Sequence, residues 1–125
     1  MADPLQIELV AADRVVWSGQ AREMIARTVD GDLGVLRGHA PLLSLLVPGI
    51  VEIMPYEGSG VVRAVVEDGF LSVANDHVSI LSEDIHLAEE IDAEAVRAEL
   101  ARAQAEGDTE AERRAGAKLR LVSKS

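Results

Sequence analysis

The sequence predicts a mainly β protein: an antiparallel sandwich of about ten strands over residues 1–87, then an α-helical hairpin over residues 88–125. Three observations carry this expectation. Short aliphatic runs recur with turn signals every eight to twelve residues or so, the spacing of a sandwich or barrel. No helical period interrupts them, so a parallel sheet built from βαβ units is not expected. Near residue 88 the composition changes: nine alanines fall between Ala93 and Ala117, and β-branched residues nearly vanish.

Leu5, Ile7 and Leu9 alternate with polar residues and mark a half-buried first strand. Asp13-Arg14 turns the chain, and Val15–Ser18 returns, with Gly19 as a bulge or bend. Met24–Val29 reads as a third strand. Asp30-Gly31 is a hairpin signal for which a type I′ turn is expected. The stretch from Gly31 to Leu43 holds three glycines, His39 and Pro41 among aliphatic side chains. Glycine serves where φ is positive or a backbone comes close, and proline fixes φ, so this is a reversal, a short strand, a corner and a further strand. Leu42–Val47 and Ile50–Met54 join through Pro48-Gly49. A loop at Glu57–Gly60 follows, and Asp68-Gly69 separates Val61–Glu67 from Phe70–Ala74. Asn75-Asp76 turns into Val78–Ser82, and Ile85–Leu87 completes the strands.

In the tail, Asp92 is an expected N-cap, with Ile91 stapled to Val96. Val96, Leu100 and Ala103 share one helical face. Gly107-Asp108 stops this helix, and Thr109–Glu112 has the pattern of a capping box for the next. Ala111, Ala115, Leu119 and Val122 are the expected packing face of the second helix. So few large apolar side chains glue the hairpin only lightly. It is expected to depend on what it packs against, the sandwich or another subunit.

Composition removes several function classes. There is no cysteine, hence no disulfide and no thiolate metal site. The formal net charge is −10, and residues 1–86 hold 13 acidic against 5 basic side chains. Such a body lacks the basic footprint that nucleic acid or anionic lipid requires. No apolar run approaches the roughly 20 residues of a membrane span. Met1–Pro4 shows neither the basic nor the apolar region of a signal peptide, so the cytoplasm is the expected compartment.

No catalytic constellation is visible. Gly31, Gly34 and Gly38 match neither the P-loop nor the dinucleotide fingerprint. His39, His77 and His86 are too scattered for a metal cluster. Gly58-Ser59-Gly60 is no nucleophile elbow. The adjacent pairs Glu67-Asp68 and Glu89-Glu90 do not make an acid–base dyad, since neighbours in a strand face opposite ways. One basic concentration stands out: Arg113, Arg120 and Lys124 on a helical stripe, with Arg114 and Lys118 beside it. It reads as a docking surface for an acidic partner, or as a solvated face partly paired with Glu110. These features fit a binding or regulatory component. A free-standing β-sandwich that binds a small ligand is the alternative.

The segment Gly31-Asp32-Leu33-Gly34-Val35-Leu36-Arg37-Gly38-His39-Ala40-Pro41-Leu42, followed by Pro48-Gly49, closely resembles the signature of the ε subunits of bacterial F-type ATP synthases. The likeness continues through Trp17-Ser18-Gly19, Asp68–Val73, Ile91-Asp92 and Ala117–Arg120, and so spans essentially the whole chain. It implies a ten-stranded β-sandwich with a C-terminal helical hairpin. It implies a non-catalytic stalk subunit of a proton-translocating synthase, peripheral on the cytoplasmic face of the cell membrane. Such a subunit binds γ, touches the c-ring, and restrains ATP hydrolysis through its tail. By the same resemblance Asp32 and His39 face the c-ring and γ, expected together and exposed at one end of the sandwich. Arg113, Arg114, Lys118 and Arg120 face an acidic segment of the β subunit. Ile91 and Asp92 match the start of the family's nucleotide motif, but Ala95 stands where its arginine belongs, so no nucleotide cofactor is expected.

Overall fold

The computed structural model describes residues 4–58 and 60–123. Met1–Asp3, read above as free of a signal sequence, Ser59 of the loop and Lys124 of the basic stripe lie outside the described residues, as does the side chain of Val122. The described residues form nine strands: β1 (Leu5–Val10), β2 (Val15–Thr28), β3 (Gly31–Leu36), β4 (Leu42–Leu46), β5 (Gly49–Pro55), β6 (Val62–Val66), β7 (Gly69–Ala74), β8 (His77–Ser82) and β9 (Ile85–Leu87). A 3-10 turn at Ala88–Glu90 leads into α1 (Ala93–Glu106) and α2 (Thr109–Ser123).

The count falls short of ten because the expected second and third strands are one. Residues 19–23 stay extended: β1 pairs with β2 as far as Ala21, and β5 takes over from Ala21 to Ile25. The β2–β5 register shifts between Ala21 and Glu23, so Arg22 is a bulge where the strand passes from one layer to the other. Gly19 is not the bend. It makes room for the indole of Trp17, whose Cη2 would lie 2.9 Å from a Cβ built there.

Strand order is β1-β8-β7-β4-β2-β5-β6-β9, with β3 paired to β2 and β1 also paired to β2. Every pair is antiparallel except β1 with β8. β2 thus belongs to both layers, which enclose an aliphatic core of Leu5, Ile7, Leu9, Met24, Val35, Ile53, Leu71, Val73, Ile80 and Ile85.

The β2–β3 turn also departs from expectation. Thr28 pairs with Gly31, leaving Val29-Asp30 as the loop, and positive φ occurs at Gly31 rather than at Asp30. The Thr28 hydroxyl donates to the Gly31 carbonyl and accepts from the Asp30 amide, which holds this other geometry. Both central residues of a turn have positive φ at Asn75 (52°) and Asp76 (63°), so the type I′ hairpin joins β7 to β8.

Asp92 caps α1, its Oδ1 accepting from the amides of Glu94 (3.0 Å) and Ala95 (3.4 Å). Gly107 ends α1 in the left-handed conformation at φ 70°. The cap of α2 is Asp108, not Thr109: its Oδ1 accepts from Ala111 N at 3.1 Å and its carbonyl from Glu112 N. Thr109 is the first helical residue, so the expected capping box gives way to the residue before it.

α2 lies against β5 and β6, while α1 packs along α2. The contact with the sheet is small: Ala117 and Leu121 cover Val65, with Ile50, Ala88 and Ile91 around them. The packing face is therefore Ala117–Leu121, turned from the expected Ala111, Ala115 and Leu119. Ala115 is buried as well, and Leu119 is half-buried.

Candidate functional site

Strand alternation that buries Leu46, Leu71 and Ile80 turns their neighbours outward. Register then aligns three of these neighbours with Val10 of β1. Leu45 lies opposite Phe70, Phe70 opposite Leu81, and Leu81 opposite Val10, so one apolar row crosses β4, β7, β8 and β1. Leu45, Phe70 and Leu81 remain 52%, 50% and 50% exposed, and Leu43 on the same strand 72%. Val29, also exposed, extends the row, its amide bonded to the Leu45 carbonyl. A cleft of about 880 Å³ lies over this row, walled on the other side by Glu110 and Arg114 of α2. A contiguous exposed apolar face of this kind is a feature of interaction sites and binding grooves. Sequence reasoning missed it. The available signal was Leu42-Leu43-Ser44-Leu45-Leu46, with leucines at odd as well as even positions.

The motif residues do not lie together. Asp32 is exposed near the β2–β3 turn, opposite Arg27. His39 follows the far end of β3, its Nδ1 2.7 Å from the Ala40 carbonyl oxygen. Beside it the Gly38 amide donates to Asp76 Oδ1 at 2.7 Å, which ties this corner to the β7–β8 turn. An extended strand advances about 3.3 Å per residue, so β3 itself holds the two side chains apart.

The basic residues of α2 fall into two sets. Arg114 Nε is 3.0 Å from Glu67 Oε1, and its Nη1 3.9 Å from Glu110 Oε2. Lys118 Nζ is 3.9 Å from Glu99 Oε1 on α1. Arg113 and Arg120 are exposed and border the groove between the helices, beside Gly116. Ile91 packs against the Val65 cluster and Asp92 is engaged as the cap of α1.

Two carboxyls are perturbed. Burial pushes Glu67 above the usual carboxylate range; Arg114 and Lys118 oppose this, and Asp84 and Asp68 reinforce it. Burial also acts to raise Glu90, but the bonds from Arg14 and the Leu87 amide, with the charges of Arg14 and His86, outweigh it and hold Glu90 low. His86 Nε2 lies 2.7 Å from Asp84 Oδ1. Among the described residues no three His, Cys, Asp or Glu are grouped to hold a metal ion, and no helix is long and apolar enough to cross a membrane.

An apolar row open for contact and a lightly seated hairpin whose second helix carries four cations are the features of a binding subunit. Residues 4–88 match the family model for the β-sandwich domain of the ATP synthase delta/epsilon chain. The chain is 54% identical to the ATP synthase epsilon chain of Streptomyces avermitilis over 98% of both chains. It is 50% identical to that of Streptomyces griseus, again over 98% of both. In a solved Euglena gracilis mitochondrial ATP synthase assembly of OSCP, F1 and c-ring, one chain superposes with a TM-score of 0.75 at 26% identity. That match covers 98% of this chain and 79% of the other. The chain belongs to the ATP synthase delta/epsilon family.

Proposed function

We propose that this chain is a non-catalytic central-stalk subunit of a proton-translocating ATP synthase, coupling rotation of γ and the c-ring to ATP synthesis. It sits peripherally on the cytoplasmic face of the cell membrane, held there by its partners. The observation that supports this most directly is the exposed row Leu45–Phe70–Leu81 in a chain similar to epsilon chains along nearly its whole length. An apolar face that spans several strands suits a folded domain, and γ is its occupant in this reading. The full-length likeness leaves no support for a free-standing ligand-binding module.

Asp32 and His39, at opposite ends of β3, then meet the c-ring and γ at two separate points. The α2 cations regulate hydrolysis. Arg113 and Arg120 are available to acid on the β subunit while the hairpin is seated on the sandwich, and Arg114 and Lys118 join them when it lifts away. The test is binding of Phe70→Asp to purified γ, measured beside thermal unfolding. Phe70 is half exposed, so stability is expected to change by no more than about 0.5 kcal/mol while γ affinity falls at least tenfold. Retained affinity would move γ to another face, and no binding by the unaltered chain would defeat the stalk reading.

A further inference from the structure

The cleft over the apolar row is not electrically neutral. Four carboxylates stand around its apolar floor: Glu67 and Asp68 in the loop after β6, Glu83 after β8, and Glu110 on α2. Arg114 is the cation that lines it with them. Among the described residues Asp68 and Glu83 make no ion pair. Arg114 is shared, at 3.0 Å from Glu67 and 3.9 Å from Glu110. Lys118 also acts on Glu67, but its own close contact is Glu99. Glu67 is thus short of positive charge: burial, with Asp84 and Asp68 beside it, outweighs Arg114 and Lys118.

A body that covers the row takes water from Glu67 as well. It must then bring positive charge, or leave buried carboxylates without partners. That cation and Arg114 would serve the same carboxylate, and two like charges held so close repel each other. Arg114 is at the same time one of the few ties between α2 and the sandwich, beside the packing of Ala117 and Leu121 on Val65.

We infer that Arg114 and a Lys or Arg of the row's occupant compete for Glu67, so that docking on the row loosens the seat of α2 and a seated α2 weakens docking. The Glu67–Arg114 pair is the element that joins the two surfaces. The coupling is reciprocal: the factor that docking takes from the seat is the factor that the seat takes from docking. The inference rests on the reading above, in which the occupant is γ, and adds a route by which contact with γ reaches the hairpin.

The two halves of one ion pair should therefore act in opposite directions. The full-length chain and its variants are titrated with purified γ, each variant first checked by thermal unfolding. Arg114→Gln removes the competitor and is expected to bind γ about two- to fivefold more tightly, the scale of a partly exposed pair. Glu67→Gln removes the contested carboxylate and is expected to bind about two- to fivefold more weakly. Arg97→Gln is the charge control. It makes the same change in net charge on the exposed surface of α1, does not line the cleft, and should bind like wild type. In the γ complex the amides of residues 117–121 should exchange with solvent faster than in the free chain. Binding by Arg114→Gln that is unchanged or weaker, binding by Glu67→Gln that is unchanged or tighter, an equal gain in Arg97→Gln, or exchange that is not faster would each overturn the inference. Failure of the wild type itself to bind γ would instead defeat the stalk reading beneath it.

Discussion

Arg114 Nε lies 3.0 Å from Oε1 of Glu67, an ion pair that ties α2 to the loop between β6 and β7. It supplements an apolar contact made, among the described side chains of α2, by Ala117 and Leu121. Yet the pair is not a strong clamp. Burial of Glu67 outweighs the pull of Arg114, as its raised pKa records.

A raised pKa in the folded state means that Glu67 adds stability at acid pH, a contribution lost as pH rises through that value. At neutral pH its charge is a small burden. Glu67→Gln is therefore expected to be as stable as wild type at pH 7, or more so, by up to about 1 kcal/mol. The difference should shrink as pH falls through the carboxylate range. Thermal melts of both proteins from pH 4 to 8 check this; a variant clearly less stable at pH 7 would make the ion pair a true anchor.

Glu90 behaves oppositely. Its Oε2 accepts from Arg14 at 2.7 Å and its Oε1 from the Leu87 amide at 3.2 Å, pinning the connector to the β1–β2 turn. With a lowered pKa its contribution is present at neutral pH and disappears as pH falls through the depressed value. Glu90→Gln should cost up to about 1 kcal/mol at pH 7 and nothing once wild-type Glu90 is protonated. Denaturant titrations at the two pH extremes would show a constant gap if the carboxylate were irrelevant.

Gly69→Ala tests the sandwich itself. A Cβ there would overlap the Leu81 carbonyl oxygen, at the rung where Gly69 pairs with Ser82. The strands must spread, at a cost of about 1–3 kcal/mol. A melting temperature equal to that of wild type would show that β7 and β8 are looser than their register implies.

Residues 1–87 contain all nine strands and are expected to fold without the hairpin. Removing the tail uncovers Val65, worth about 1.5–3 kcal/mol of apolar burial, so the fragment should unfold cooperatively at a lower temperature. Circular dichroism on heating is the measurement. A gradual, uncooperative melt would make the hairpin part of the core.

What the sequence determined was local. Alternation at Leu5, Ile7 and Leu9 defined β1, Asp92 and Gly107 bounded α1, and the change in composition marked the tail. These signals come from residues a few positions apart, whose backbone preferences act before any packing. The motif around Gly31 and His39 also identified the family from the chain alone. Tertiary structure decided the rest. Pairing with β1 and then β5 fused two expected strands into β2, against the break that Gly19 suggested. The α2 cations became two sets only because Glu67 and Glu99 arrive from elsewhere in the fold. The row from Leu45 through Phe70 to Leu81 was invisible for the same reason. Which side chains share a surface is set by strand register between distant segments, and register is a property of the packed sheet rather than of any one stretch of sequence.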